Sequence, residues 1–189
     1  FADETRAQDF AEHWCRELWS RPSGHPDPVH GPPTPEETDA LRRDWVASNG
    51  DYKIGLLREK SKRREDAVSR FAEAIERYPD HTLALERLGV LTYSGLGTAS
   101  SNASAIELLS RAVRLEPSLY DAQVFLALAL GRENRQAEAR AAFERAIVLD
   151  KYAPLVLTFY ADTLADWGEF AESEILFRKA MRQDPSNPQ

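Results

Sequence analysis

Apolar side chains recur along this chain at helical spacing rather than in the alternation of strands. In residues 2–20, Ala7, Phe10, Ala11, Trp14 and Leu18 follow the i, i+3, i+4, i+7 rule, with Asp9, Glu12, Arg16 and Glu17 opposite. This pattern predicts an amphipathic helix that must dock Phe10 and Trp14 somewhere, on the chain's own repeats or on another protein. Residues 21–35 hold six prolines. Proline fixes φ and lacks a backbone donor, so this stretch is an extended connector. Thr34-Pro35-Glu36-Glu37 then has the residues of a capping box. The helix it starts is expected to run to about Ser48, with Leu41 and Trp45 on one side, and to break at Asn49-Gly50.

From residue 48 a longer period takes over. A small–bulky–small triplet appears as Ala67, Phe71, Ala74, as Ala105, Leu109, Ala112, as Ala139, Phe143, Ala146, and as Ser173, Phe177, Ala180. Prolines 79, 117 and 185 follow three of them. Ahead of each triplet stands a large–small pair: Ile54-Gly55, Leu88-Gly89, Leu126-Ala127 and Tyr160-Ala161. Small residues let two helices approach closely, and the bulky residue fills the gap beside them. The units fall at 48–81, 82–119, 120–153 and 154–187, of 34, 38, 34 and 34 residues, with four extra residues in the second turn, within Ser94–Ala103. Asn134 and Gly168 occupy equivalent turns and suit a positive φ. Ser104 with Glu107, and Ser118 with Asp121, have capping-box spacing. The expected architecture is all-α. Residues 1–47 form an N-terminal helical arm with its proline-rich linker, and residues 48–189 form a solenoid of about four helix–turn–helix units.

The 189 residues suffice for one domain or short solenoid, and the net charge of −7 argues against a general binder of nucleic acid or anionic membrane. The acid is concentrated early: residues 1–47 hold ten acidic and five basic side chains. No run approaches the length of a membrane span. Cys15 is the lone cysteine, which excludes an internal disulfide and fits a reducing compartment. The start at Phe1 suggests an excerpt or a processed product from which a targeting segment has been removed, so an organelle stays open as the compartment.

Nothing in the chain pairs a nucleophile with a base, and no enzyme activity or cofactor is expected. The basic run Arg58-Glu59-Lys60-Ser61-Lys62-Arg63-Arg64 falls at an inter-helix turn without interleaved aromatics, as solvated charge does. His13, His25, His30 and His81 lack metal-ligand spacing, so no metal site is expected, and His81 ahead of a helix start is expected on the surface. The glycine-bearing stretch Ser94–Ser101 lacks both the strand and the Gly-Lys ending of a phosphate loop.

The repeat resembles the tetratricopeptide repeat family, whose 34-residue pattern is W-x₂-L-G-x₂-Y…A-x₃-F…P. The fourth unit matches as Leu157, Tyr160-Ala161, Leu164, Ser173, Phe177, Ala180 and Pro185. The second matches as Leu85, Leu88-Gly89, Thr92, Ala105, Leu109, Ala112 and Pro117. The first unit departs with Asp51 and Arg58 at apolar places, and the third with Gln123 and Lys151. The resemblance does not extend to residues 1–47, in which no family pattern is recognised.

The resemblance implies a right-handed superhelix whose first helices line a concave groove for a partner peptide or helix. The implied lining is Tyr52, Leu56, Glu86, Val90, Tyr93, Asp121, Val124, Leu128, Leu155, Thr158 and Asp162. This apolar and aromatic set with scattered acids suits a segment with basic flanks. Members that grip acidic chaperone tails use basic clamp residues. Here those places hold Tyr52, Leu56, Arg87, Asp121 and Phe125, or Glu86, Val90, Phe125, Leu155 and Phe159 in the last three units. Only Arg87 has the right charge, so chaperone C-terminal tails are rejected as ligands. The expected role is a protein–protein interaction module: an adaptor, scaffold or assembly factor. A permanent subunit of a large complex, and the targeting domain of a larger enzyme, stay open beside it. The uncapped last unit, through Leu176 and Met181, leaves room for an end-to-end contact, and Phe10, Trp14 and Leu18 are candidate contacts of the arm.

Overall fold

The computed structural model describes residues 34–96, 101–149 and 154–183. These form α1 (Pro35–Lys60), α2 (Arg64–Arg77), α3 (Thr82–Tyr93), α4 (Asn102–Leu115), α5 (Tyr120–Arg132), α6 (Gln136–Leu149), α7 (Pro154–Asp166) and α8 (Phe170–Gln183). Among the described residues there is no strand. The chain is an all-α solenoid of helical repeats. Successive helices pair as α1·α2, α3·α4, α5·α6 and α7·α8, and each hairpin packs on the next. The odd-numbered helices α3, α5 and α7 also touch one another and so share one face. Proposed arm contacts Phe10, Trp14 and Leu18, the proline linker, Lys151 and Pro185 lie outside the described residues.

The triplets form the spine of the core. Ala67, Phe71, Ala74, Ala105, Leu109, Ala112, Ala139, Phe143 and Ala146 are fully buried, while Phe177 in the last hairpin is half-buried. A Cβ placed on Gly55 would stand 2.5 Å from the Phe71 ring, and one on Gly89 would stand 2.7 Å from Leu109. Helix approach in the first two hairpins therefore depends on the missing side chain.

Each hairpin turns by the same device. Lys62, Gly95, Asn134 and Gly168 all have positive φ, of 62°, 84°, 56° and 83°. In each, the amide after that residue reaches back to close the helix end: Arg63 to Arg58, Leu96 to Leu91, Arg135 to Leu130 and Glu169 to Leu164, at 2.9–3.0 Å. This is the Schellman arrangement, in which a left-handed residue lets the last carbonyls find donors. Asn134 and Gly168 were legible as such residues; Lys62 was not, because a lysine there is strained.

Four expectations need correction. Asn49-Gly50 does not end a helix, since α1 runs unbroken for 26 residues from Pro35. Its start is the expected capping box, with Thr34 N–H donating to Glu37 at 2.7 Å and Glu37 N–H donating to Thr34 at 3.3 Å. On either side of Asn49-Gly50 the helix is held by tertiary bonds: Ser48 Oγ donates to the Ala74 carbonyl at 2.7 Å, and Arg77 donates to Asp51 at 2.7 Å. The cap of α4 is Ser101, which accepts from the Ser104 amide at 3.1 Å; Ser104 is not itself the cap. Helix α5 has Leu119 at its cap without a side-chain bond, and Ser118 donates instead to Glu116. His81 is buried, not superficial: it caps α3, its Nδ1 accepts from the Ala84 amide at 3.2 Å, and its ring lies 5.0 Å from that of Tyr52.

Two of the four departures from the family pattern, Asp51 and Gln123, are buried and make polar contacts. Asp51 is buried and ion-paired to Arg77 and Arg70. Gln123 is 2% exposed; its Nε2 donates to the Pro117 carbonyl at 3.3 Å and so ties the turn before α5 to that helix, while its Oε1 is buried without a hydrogen-bond partner among the described residues.

Candidate functional site

The face shared by the odd-numbered helices carries the residues singled out from the sequence. Tyr52 and Leu56 of α1 are half-buried, as are Val90 and Tyr93 of α3, Leu128 of α5 and Thr158 of α7. Asp121, Leu155 and Asp162 are exposed. Val124 is 4% exposed and belongs to the core, where it meets the neighbouring hairpins rather than open space. Glu86 is 8% exposed, an unusual state for a carboxylate.

At one end of this face the helix ends of α3, α5 and α7 enclose a cavity of about 600 Å³. Tyr93, Leu128 and Asp162 line it, joined by Phe125, Phe159, Arg132, Asp166 and Trp167. The Tyr93 and Phe125 rings meet edge to face at 5.6 Å. Trp167 is fixed by its Nε1–H, which donates to the Gly131 carbonyl at 3.3 Å. Gly131 matters to the shape: a Cβ there would stand 2.8 Å from Thr163 Cγ2, so α5 and α7 converge at the cavity wall. The result is an open-mouthed, aromatic-walled recess with carboxylates at its rim, the composition of a site that holds an apolar side chain and orients it by charge.

Sequence reasoning passed over Trp167 and Asp166. The available signal was a tryptophan at a helix C-cap, directly before Gly168, where the other hairpins carry Ser61, Ser94 and Glu133. A large aromatic at a water-facing turn has a packing or binding reason.

The electrostatics of the face are lopsided. Helices α3, α5 and α7 contain four acids, Glu86, Asp121, Asp162 and Asp166, and two cations, Arg87 and Arg132. Arg87 is drawn away to an ion pair with Glu59 of α1. Arg132 lies over the Tyr93 ring, 4.0 Å from its centroid. Burial first, and then the charge of Asp121, hold the Glu86 carboxyl above the usual carboxylate value, offset in part by Arg87. Burial likewise pushes up the Tyr52 and Tyr93 hydroxyls and pushes His81 down. Among the described residues, no three His, Cys, Asp or Glu side chains gather as metal ligands would. None of the described helices is long and apolar enough to cross a membrane.

Comparison with known proteins gives two matches to family models described as tetratricopeptide repeats, over residues 51–81 and 96–154. No curated protein matches the sequence. Among solved structures, the chain is similar to YrrB, a repeat protein of this kind with an unusual peptide-binding site, with a TM-score of 0.66 at 19% identity over 79% of this chain and 74% of that one. It is also similar to MamA 41-end from Desulfovibrio magneticus RS-1, with a TM-score of 0.66 at 18% identity over 96% and 97% of the two chains. A further MamA crystal structure gives 0.65 at 18% identity over 80% and 89%. At these identities the likeness is one of fold.

Proposed function

Because this chain belongs to the tetratricopeptide repeat family, a family of protein–protein interaction modules, we propose that it works as an adaptor, scaffold or assembly factor whose groove holds a segment of a partner protein. The observation that carries this reading is the aromatic cavity at the ends of α3, α5 and α7. Its volume lies within the range of binding pockets, with room for more than one large side chain, and its aromatic walls suit apolar ones. YrrB supplies a parallel, as a protein of similar fold with a peptide-binding site. The ion pair between Arg87 and Glu59 supports the exclusion of chaperone tails, since the one cation placed for a carboxylate is already engaged. Proteins of this family and fold are typically non-enzymatic, and the groove chemistry here calls for recognition rather than catalysis.

A second reading rests on α8. Phe170 and Ile175 are 70% and 63% exposed, and Met181 is 45% exposed. An apolar end of this kind suits a subunit held permanently by a neighbour stacked on the last hairpin.

Affinity capture from native extract, read by mass spectrometry, separates the two. The comparison is between the wild type and a Val90→Arg/Leu128→Arg variant shown by circular dichroism to stay folded. Both positions are half-buried on the groove face, so arginines there fill it with charge. Loss of a partner from the variant is the expected result. Retention of every partner sinks groove recognition and favours the α8 end.

A further inference from the structure

Glu86 stands out as a largely buried carboxylate beside a like charge. It is 8% exposed, yet among the described residues no cation pairs with it and no donor bonds to it. Its neighbour Arg87 is turned to Glu59, and Asp121, the charge that α5 brings closest, has the same sign. A partly desolvated carboxylate beside a like charge is disfavoured when ionised, and a cation brought to it offsets both effects. Helices α3, α5 and α7 carry four acids against two cations, of which Arg87 is paired with Glu59 and offsets Glu86 only in part, and Arg132 lies over the Tyr93 ring.

The distances set the spacing of a ligand. Glu86 and Tyr93 are seven residues apart on α3, and Asp121 and Leu128 are seven apart on α5. At the helical rise this separates the acidic floor from the aromatic cavity by about 10 Å. An extended segment covers that distance in about three residues. The chain's own residues 1–20 are a poor occupant, with five acidic and two basic side chains.

We infer that the groove selects a basic partner segment, seating a lysine or arginine on the Glu86–Asp121 floor and a bulky apolar side chain, about three residues away, in the Tyr93–Trp167 cavity. This names the chemistry of the partner and rests on the groove reading above. Coulomb attraction orients the segment, the desolvated Glu86 strengthens the contact, and the aromatic walls supply the apolar anchor.

The test uses the intact chain and fluorescence polarisation with labelled ten-residue peptides. One set carries Arg-x-x-Leu, Arg-x-x-Phe or Lys-x-x-Leu; matched sets replace the cation with norleucine or glutamate. Cationic peptides are expected to bind about tenfold tighter than their norleucine counterparts. In Glu86→Gln and Asp121→Asn that margin shrinks while the norleucine peptides bind as before. Glu86→Gln should also melt at a higher temperature, which separates lost recognition from lost folding. Equal binding of cationic and norleucine peptides, or a preference for glutamate, overturns the cation site and leaves the groove reading in place. Binding of no peptide, or binding unchanged in Val90→Arg/Leu128→Arg, overturns the groove reading and this inference with it.

Discussion

In the first hairpin Phe71 fills the gap left by Gly55 and sits 5.8 Å from the Tyr52 ring; in the third, Phe143 takes the same place and stacks on Tyr160 of the next unit at 4.7 Å. Both rings are fully buried, but their surroundings differ. Around Phe143 the core is apolar and continuous from Leu85 to Leu164. Around Phe71 it shrinks to Ala67 and Leu91, and α1 leaves Val46 and Leu57 largely exposed. What holds α1 there is polar: the Ser48 bond to Ala74, and Asp51 between Arg70 and Arg77. A hairpin inside a repeat array is covered on both sides and can be built from apolar contacts alone. A hairpin at the end of the described array is covered on one side, so directional bonds replace part of the missing burial.

The largest test of this difference is the pair of ring deletions. Phe143→Ala should cost about 3–5 kcal/mol, and it should also release α7, because Tyr160 loses its stacking partner. Phe71→Ala should fall at the low end, about 3 kcal/mol, with the loss confined to the first hairpin. Chemical denaturation gives the totals, and hydrogen exchange resolved by helix shows how far each loss spreads. Equal spread from both sites would remove the distinction between end and interior.

Two glycines of α1 sharpen the same contrast within one helix. Gly55→Ala should destabilise by about 1–3 kcal/mol, since the new Cβ meets a rigid ring. Gly50→Ala meets nothing within 4 Å and should stabilise by up to about 1 kcal/mol. Thermal melts of the two variants should move in opposite directions. A loss at Gly50 would contradict the continuous α1.

Glu86→Gln probes the interior hairpins. The folded-state pKa of Glu86 is raised, so its burial weakens the fold most when the carboxyl is ionised. The wild type gains relative stability as the pH falls through that raised value and loses it as the pH rises. Gln should therefore raise stability at neutral pH, and add nothing once the pH is below the ordinary carboxylate range. Melts at neutral and acid pH check both the sign and the window. Smallest is Lys62→Gly, expected to add somewhat less than about 1 kcal/mol by relieving a left-handed lysine. The same change at Asn134, a residue that tolerates this conformation, should do less, which a paired denaturation series would show.

The repeat, the four hairpins, their buried triplets and the cap at Thr34 were all readable in the sequence. Each depends on residues a few positions apart or on a period that repeats, and helical geometry converts both directly into contacts. The unbroken α1 was not readable, because Asn49-Gly50 is a breaker locally and only Ala74 and Arg77, far along the chain, hold the helix through it. The burial of His81 required Tyr52 beside it, and the left-handed Lys62 required two hairpin helices already docked. Trp167 becomes a cavity wall only when α5 approaches closely enough at Gly131 to accept its hydrogen bond. Periodicity reports which side of a helix turns inward. What then surrounds a side chain, and so how far Glu86 is removed from water, was decided by how the helices pack against one another.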